Sequence, residues 1–232
     1  MVFITSDNHR KFTYIEKFCA KNDTTTSDIL IILGDAGINY FGNPQDLRLK
    51  EKLSKLPITL FCIHGNHENR PENIGTYEEV EQFSGLAYME SDFPNLIFTK
   101  DGEVYDFNGK RCLVIGGAYS VDKFVRIQNN WPWWSDEQPS AQTKRLVENR
   151  LEVENWNVDI VFSHTCPMKY MPYEAFLGGI DQRMVDKSTE EWLDSIEDKL
   201  TYSKWFCGHF HIEKVVDKMR FVYQSFYELV GL

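Results

Sequence analysis

The chain has 232 residues, of which 42% are hydrophobic and 14% aromatic, and this composition excludes an intrinsically disordered protein. Its formal net charge of −10 argues against broad DNA or RNA binding, because an acidic surface repels the phosphate backbone. No segment has the length and hydropathy of a transmembrane helix, and no secretion signal is visible at the N-terminus. We therefore expect one domain, residues 1–232, with no membrane partner.

The cysteines predict a reducing environment. They are odd in number, scattered, and include no Cys-x-x-Cys pair, so free buried thiols are a better interpretation than disulfides. The five residues are Cys19, Cys62, Cys112, Cys166 and Cys207. Together with the missing signal, they lead us to expect a cytoplasmic protein.

Short apolar runs recur along the chain and end in polar residues, a pattern typical of buried strands. Helix-like stretches separate them, with a cap predicted at Asn43-Pro44 and a capping box at Ser188-Thr189-Glu190-Glu191. The predicted strands are 2–5, 29–33, 58–63, 158–162 and 205–207, and the predicted helices are 12–21, 47–56, 140–156 and 188–200. Strands that alternate with helices predict an α/β fold with functional groups at the carboxyl ends of the strands.

The middle of the chain predicts antiparallel pairing instead. Segments 96–99, 103–107 and 111–115 are joined by Asp101-Gly102 and Asn108-Gly109, and both dipeptides are hairpin signals. Segments 215–216 and 221–226 predict a further hairpin near the C-terminus. We therefore expect a second sheet packed on the first.

Five of the six histidines follow a predicted strand, beside Asp, Asn or Gly. A lone histidine in such a position is more often structural, but five placed alike indicate a metal site, since imidazole and carboxylate are usual ligands of Mn, Fe and Zn. In Asp7-x-His9 and His209-x-His211, an extended backbone would place both side chains on one side. Asp35 follows a glycine, which permits a sharp turn and exposes a carboxylate able to bridge two cations.

Five motifs follow one another in the chain: Asp7-x-His9, Gly34-Asp35, Gly65-Asn66-His67-Glu68, His164 and Gly208-His209-x-His211. In order and approximate spacing they resemble the calcineurin-like metallophosphoesterase superfamily, from residue 2 to about residue 212. The resemblance implies the α/β fold of that superfamily, in which two mixed β-sheets are sandwiched between helices as four αββα layers. It also implies a phosphatase or phosphodiesterase activity.

The resemblance implies a role for each matching residue. The ligands of one divalent metal ion would be Asp7, His9 and His211. Those of a second ion would be Asn66, His164 and His209, with Asp35 bridging the two ions. His67 would be the general acid for the leaving oxygen rather than a ligand, and a metal-bridging hydroxide would be the nucleophile. Mn is our first expectation for both ions, with Fe, Zn or Ni as alternatives.

The motifs depart from those of protein serine/threonine phosphatases. The segment Gly-Asp-Ala36-Gly37 lacks the Asp-Arg that follows in those enzymes, which argues against a phosphoprotein substrate. Arg70 matches another arginine of those phosphatases and could bind phosphate or form a surface salt bridge. We interpret Glu68 as a residue that orients a neighbouring histidine, and His64 as a structural residue at a strand end.

Further candidates for substrate contact lie outside the metal ligands. Asn8 could hydrogen-bond the substrate or cap a turn, and Arg126 could contact phosphate. The segment Trp131-Pro132-Trp133-Trp134 could belong to the core, or form a lid or a substrate wall.

We expect the substrate to be a small or flexible phosphoester, with nucleic acid disfavoured and the oligomeric state left open. One alternative is a nuclease on the same site, against which the acidic charge argues. The other is a non-catalytic metal-binding scaffold, which would be expected to have lost ligands or the general acid.

Overall fold

Strands and helices alternate through the first half of the chain, as the spacing of the apolar runs predicts. The computed structural model describes residues 1–176 and 178–229. The helices there are α1 (Thr13–Asn22), α2 (Pro44–Leu53), α3 (Lys123–Gln128), α4 (Ala141–Val153) and α5 (Ser188–Glu197). The strands are β1 (Val2–Thr5), β2 (Ile29–Ile32), β3 (Thr59–Cys62), β4 (Glu78–Gln82), β5 (Gly85–Met89), β6 (Leu96–Thr99), β7 (Val104–Phe107), β8 (Lys110–Ile115), β9 (Ile160–Ser163), β10 (Lys204–Cys207), β11 (Lys214–Val216), β12 (Met219–Phe221) and β13 (Tyr227–Glu228).

The strands form two mixed sheets whose central strands are parallel. The first sheet has seven strands in the order β13-β1-β2-β3-β6-β5-β4, and the second has six in the order β11-β12-β10-β9-β8-β7. Strands β1, β2, β3 and β6 run parallel to one another, and so do β8, β9 and β10. Because parallel strands end at the same edge of a sheet, the loops after β1, β2 and β3 are neighbours, as are those after β9 and β10.

Apolar side chains of the two sheets meet in a central core. Ile4, Ile31 and Phe61 of the first sheet belong to the same buried cluster as Val114 and Phe162 of the second. These residues alternate with others that face outward, since successive side chains of a strand point to opposite faces. Burial of this shared core packs one sheet on the other.

Helices cover the outer faces of both sheets. Ile15 of α1 and Leu53 of α2 pack with the outward side chains of the first sheet. Val147 of α4 and Leu193 of α5 pack in the same way on the second sheet. The layers are therefore helix, sheet, sheet and helix, and the predicted αββα fold is confirmed.

The predicted hairpins and caps have mixed outcomes. Asn108-Gly109 closes the β7–β8 hairpin with φ of 58° and 79°, as such a turn requires. Asp101-Gly102 does not close a hairpin, because β6 and β7 belong to different sheets and this turn carries the chain from one to the other. The capping box at Ser188 is also wrong, since α5 begins after Lys187 with no side-chain cap.

Four strands and helices were not predicted, namely β4, β5, β13 and α3. Strand β4 has the sequence Glu-Glu-Val-Glu-Gln and lies exposed at the edge of its sheet, so it lacks an apolar signal. Helix α3 has six residues, too few for a periodic pattern. A C-terminal hairpin is present as β11–β12, but the predicted bounds of its second strand are wrong, since β12 spans Met219–Phe221 rather than 221–226.

The free thiols are also confirmed, since all five cysteines are buried and unpaired. Within residues 1–176 and 178–229, we find no helix with the length and apolar character needed to cross a membrane.

Candidate metal centre

Five of the predicted ligands adopt a left-handed backbone conformation that is uncommon for residues with a side chain. The φ angles are 56° for Asp7, 43° for His9, 53° for Asp35, 66° for His209 and 52° for His211. Such a conformation costs about 1–2 kcal/mol per residue, and strain of this kind concentrates at functional sites. The expectation that the Asp-x-His and His-x-His pairs are extended is therefore wrong, although the ligands do come together.

Asp35 lies at the centre of the candidate site and is 1% exposed. Its Oδ2 lies 3.7 Å from Nε2 of His9 and 3.9 Å from Nε2 of His67. Its Oδ1 lies 3.6 Å from Nε2 of His164 and accepts a hydrogen bond from the backbone N–H of His67 at 2.8 Å. Since the two oxygens face different imidazoles, this carboxylate has the geometry of a bridge between two cations.

One group of candidate ligands gathers around Asp7. Nε2 of His211 lies 3.4 Å from Oδ1 of Asp7 and 3.0 Å from Nε2 of His9. These three residues could coordinate a single ion. The backbone N–H of His209 donates to both Asp7 oxygens, at 3.0 and 3.2 Å, and thereby orients the carboxylate.

A second group of candidate ligands surrounds His164. Its Nδ1 lies 2.7 Å from the carbonyl oxygen of Leu33, which can only accept, so Nδ1 carries the proton and Nε2 keeps a lone pair for a metal ion. Oδ1 of Asn66 lies 2.9 Å from that Nε2. The Asn66 amide is turned this way because its Nδ2 donates to Oγ of Ser120 at 2.9 Å. The His209 ring lies 5.1 Å from the His164 ring, measured between centroids.

Burial and neighbouring groups set the charge of these ligands. Burial raises the pKa of Asp35, but the facing imidazoles of His67 and His164 outweigh it and bring this pKa below its ordinary value. Burial lowers the pKa of His209 to about 3, so that its ring is neutral near pH 7 and can donate a lone pair. An anionic carboxylate beside neutral imidazole is a donor set that suits Mn, Fe and Zn.

Two glycines allow the ligand loops to approach one another. A Cβ added at Gly34 would lie 2.1 Å from Nδ1 of His164, and a Cβ added at Gly65 would lie 2.0 Å from Oδ1 of Asp35. Gly34 has a φ of +95°, so it also supplies the sharp turn expected before Asp35. Gly65 has no positive φ, and close approach rather than a turn requires glycine there.

We expect Gly34→Ala to destabilise the protein and to impair metal binding. The new methyl group would displace His164 and would also meet the strain of a positive φ, for a total cost above about 2 kcal/mol. Gly42→Ala is the matched control, because Gly42 has a φ of +61° but nothing within 4 Å of an added Cβ. Urea unfolding of both variants measures the difference. Equal destabilisation of the two variants would contradict this account of Gly34.

His67 is held by Arg126 of α3. Nη2 of Arg126 is hydrogen-bonded to Nδ1 of His67. Because a guanidinium group only donates, Nδ1 accepts and the neutral ring carries its proton on Nε2. Arg126 is itself fixed, since its Nε donates to both oxygens of Asp122 at 2.8 Å and its Nη1 donates to the carbonyl of Pro132 at 3.1 Å. Burial, with the charge of Arg126, holds the pKa of His67 below its ordinary value.

The other two residues predicted to contact the substrate, Asn8 and Arg70, are hydrogen-bonded to other parts of the protein. Asn8 is fully buried, and its amide donates to the hydroxyl of Tyr14 at 2.8 Å. Nη1 of Arg70 donates to Oδ2 of Asp101 at 2.8 Å, and its Nε donates to the carbonyl of Asp136 at 2.9 Å. The salt bridge of Arg70 is therefore largely buried rather than on the surface. Neither residue lines the cavity described below.

Glu68 and His64 lie behind the ligand loops. Glu68 accepts hydrogen bonds from the backbone N–H groups of Gly37 at 3.1 Å and Gly65 at 3.4 Å. It therefore joins two loops, and the expectation that it orients a histidine is wrong. His64 is buried, and burial together with the charge of Arg70 lowers its pKa well below the ordinary value, as befits a neutral structural ring.

A cavity of about 540 Å³ opens on the candidate ligands. The residues of the site that line it are His9, Asp35, Asn66, His67, His209 and His211. The Trp131-Trp134 segment lines a second cavity, of about 350 Å³, with Tyr40 and Phe41. The segment therefore does not line the cavity at the metal site, and it contacts Arg126 through the carbonyl of Pro132 and through the backbone N–H of Trp131, which donates to the Arg126 carbonyl at 2.8 Å.

Comparison with known protein families agrees with the resemblance that the sequence motifs indicate. The profile of the calcineurin-like phosphoesterase family matches residues 1–213. The chain belongs to this family. The match includes every candidate ligand from Asp7 to His211. Calcineurin-like phosphoesterases typically bind divalent metal ions, and three groups of Asp and His side chains in this member could hold one.

Two solved structures share the fold of this calcineurin-like phosphoesterase. One is TT1561 of Thermus thermophilus, with a TM-score of 0.50, 14% sequence identity, and coverage of 96% of this chain and 87% of its own. A second crystal structure has a TM-score of 0.50 at 11% identity, and covers 95% of this chain and 88% of its own. At these identities the likeness concerns the fold alone. A search of curated proteins found no match.

Sequence reasoning missed the side chains that position the ligands. Ser120 orients Asn66, and the one sequence feature that points to Ser120 is the glycine-rich segment 116–120 after β8. The Tyr223 ring stacks on His211 with centroids 4.7 Å apart, and no motif marks it. Arg126 was predicted as a phosphate contact, whereas the structure places it against His67.

Proposed function

We propose that this calcineurin-like phosphoesterase is a two-metal hydrolase, a phosphatase or a phosphodiesterase. The position of Asp35 supports this most, because its two oxygens face imidazoles of different ligand groups. Oδ2 faces His9, which lies beside Asp7, and Oδ1 faces His164, which lies beside Asn66. Two cations on either side of one carboxylate can stabilise both the entering and the leaving oxygen of a phosphoester.

The donor atoms of this chain fit two divalent ions. Asp7, His9 and His211 would hold the first, since their donor atoms lie within 4.8 Å of one another. Asn66 and His164, whose Oδ1 and Nε2 are 2.9 Å apart, would hold the second together with His209, and Asp35 would be shared. When bound, the ions would lower the pKa of a water molecule to give a nucleophile and would offset charge on the phosphate. Mn remains our first choice, with Fe, Zn or Ni as alternatives, since carboxylate and imidazole suit all four.

In this proposal His67 gives a proton to the leaving oxygen. Its Nε2 carries the proton because Arg126 occupies Nδ1, and that Nε2 lies 3.9 Å from Asp35. A proton donor at the edge of the ligand cluster can protonate an ester oxygen as it leaves the phosphate. His67 could also be a metal ligand itself, because its donor nitrogen lies within 4.8 Å of the donor atoms of His9 and Asp35. The adjacent guanidinium nevertheless disfavours a metal ion on His67, because it repels cations.

The cavity lining argues against a nuclease, the second candidate. Among the described residues that line it, Lys187 is the one lysine or arginine, and the whole chain has a net charge of −10. Nucleic acid binding draws on several contacts between basic side chains and phosphates. A non-catalytic scaffold is disfavoured because every ligand position of the motifs is filled. A small or flexible phosphoester remains the proposed substrate, and the five free thiols favour a cytoplasmic location.

Hydrolysis of chromogenic esters tests this proposal. The protein is stripped with EDTA, dialysed, and assayed with 4-nitrophenyl phosphate and bis(4-nitrophenyl) phosphate before and after Mn²⁺ is added. We expect turnover of at least one ester, and only with the metal. Metal-independent turnover would contradict the mechanism, and bound metal without turnover would favour the scaffold. Cleavage of single-stranded DNA at low salt would favour the nuclease.

Metal binding is also expected to raise the melting temperature. An ion present at 1,000 times its Kd stabilises the folded state by about 4 kcal/mol, since the unfolded chain has no preformed site. For a chain of this length, each kcal/mol shifts Tm by about 2–4 °C, so we expect a rise of about 8–16 °C. Calorimetry with and without Mn²⁺ measures it. A shift below about 2 °C would show that the native protein does not bind the ion tightly.

A further inference from the structure

Much of the cavity wall beside the candidate ligands is apolar. The apolar side chains that line it include Val121, Met171, Phe176, Ile180, Phe210 and Ile212. Phe210 lies between two candidate ligands in sequence, and its ring centroid is 4.9 Å from that of His209. The apolar wall therefore begins directly beside the metal centre.

Three of these six side chains, those of Met171, Phe176 and Ile180, belong to the segment between β9 and α5, residues 164–187. Its described residues form three short 3₁₀ turns, Met168–Tyr170, Tyr173–Ala175 and Gln182–Met184, and no longer element. Segments of this length without helices or strands are uncommon inside domains and are usually functional. The Phe176 ring is parallel to that of Phe210, with 7° between the planes and centroids 6.2 Å apart, which anchors the segment to the ligand loop.

The acidic side chains that reach the cavity are already engaged with the protein. Asp122 forms an ion pair with Arg126. Glu190 accepts a hydrogen bond from the hydroxyl of Thr165 at 2.7 Å, and Asp186 accepts one from a backbone N–H at 2.9 Å. Away from the metal ligands, the remaining polar side chains of the described lining are those of Tyr119, Gln182 and Lys187. They are few for the base and sugar of a nucleotide, which need several placed hydrogen-bonding partners.

Cationic groups are equally scarce in the cavity. Lys187 is the one lysine or arginine of the described lining, and its Nζ is 3.4 Å from the carbonyl oxygen of Gln182. A second phosphate group on the substrate would need further lysine or arginine side chains to offset its charge. The lining therefore fits a substrate whose single phosphate lies at the metal centre.

We propose that the substrate is a phosphoester with one phosphate and one bulky apolar group, aryl or alkyl, which lies against Phe176 and Phe210. This rests on the proposed hydrolase function of the same site. Apolar substrate surface leaves water when it meets this wall, and that contact persists in the transition state because the apolar group does not react. Among small phosphoesters, those with a bulky apolar group are then hydrolysed with a higher kcat/KM than those with a smaller or a polar group.

The test compares phenyl phosphate with biphenyl-4-yl phosphate, using the Mn²⁺-loaded protein. The two leaving groups have similar acidity and differ in apolar surface, so the comparison isolates contact with the wall. If the protein hydrolyses only diesters, the corresponding methyl diesters are compared instead. We expect kcat/KM to be at least about tenfold higher for the biphenylyl ester, the size of effect that apolar pockets give. Phe176→Ala should reduce this preference to below about threefold.

Met184→Ala is the matched control, because Met184 lies in the same segment but is 65% exposed and does not line the cavity. It should keep the preference for the biphenylyl ester. If Phe176→Ala fails to fold, Ile180→Ser gives the same comparison on the same wall. Each variant is checked first for its melting temperature.

The outcomes separate this inference from the proposed function. Equal kcat/KM for the two esters, or faster hydrolysis of adenosine 5′-monophosphate, would overturn the apolar substrate class and leave the hydrolase standing. An equal loss of preference in Phe176→Ala and Met184→Ala would overturn the role of the wall. If no ester is hydrolysed by the metal-loaded protein, the proposed function itself is wrong.

Discussion

Asp35→Asn is expected to abolish phosphoester hydrolysis and to leave at most one tightly bound metal ion per chain. The neutral amide offers one oxygen acceptor and no charge, whereas the Asp35 carboxylate faces His9 with one oxygen and His164 with the other. Two divalent ions about 3.5–4 Å apart repel each other strongly unless an anion lies between them. We expect kcat to fall by about 10³-fold or more, since electrostatic stabilisation of the transition state is lost.

Metal content by mass spectrometry and turnover with excess Mn²⁺ measure this effect. Asp28→Asn is the matched control, because Asp28 precedes β2 at its other end and pairs with the N-terminal amine. It should lower stability but keep two ions and near wild-type turnover. If Asp35→Asn retains two ions and wild-type turnover, Asp35 is no bridge and the two-metal arrangement is wrong.

His67→Ala is expected to lower kcat by about 10²–10⁴-fold while both metal ions stay bound. His67 lies beside the ligands, and its proton-bearing Nε2 is oriented by Arg126 at the opposite nitrogen. The loss should be larger for phenyl phosphate than for 4-nitrophenyl phosphate, because phenolate is the poorer leaving group and depends more on protonation. Steady-state kinetics with both esters, alongside metal analysis of the variant, measure these effects.

The two roles open to His67 predict different results for that variant. A ligand would be expected to reduce the metal content when replaced, and excess Mn²⁺ would then restore part of the activity. A general acid leaves the metal content unchanged, and added metal restores nothing. Loss of metal, or an equal loss of rate for both leaving groups, would contradict the assignment of His67 as the acid.

The clustering of the candidate ligands was predictable because sequence order and sheet topology coincide in this fold. Asp7, Asp35 and Asn66 follow β1, β2 and β3, which are adjacent and parallel, so their loops meet at one sheet edge. His164 and His209 follow β9 and β10, which are adjacent in the second sheet. The local conformation was not predictable in the same way. Side-chain alternation suggested extended pairs, whereas the ligand residues adopt strained left-handed angles that tertiary contacts impose.

The side chains that position the ligands and form the apolar wall could not be predicted from local pattern. Arg126 belongs to a six-residue helix, and it reaches His67 across 59 positions of sequence. The segment 164–187 has no strand and no long helix in its described part, so neither periodicity nor turn signals indicate which of its side chains face the cavity. Strand β4 was missed for a related reason, since its exposed acidic residues have the composition of a loop.

The most direct test of the two-metal hydrolase is a titration of the metal-free protein with Mn²⁺, in which bound metal and turnover of 4-nitrophenyl phosphate or bis(4-nitrophenyl) phosphate are measured in the same samples. We predict that turnover is absent at the start, stays low while the first equivalent binds, and reaches its maximum only when two equivalents are bound per chain. Full turnover without metal, or a maximum reached at one equivalent, would contradict the account.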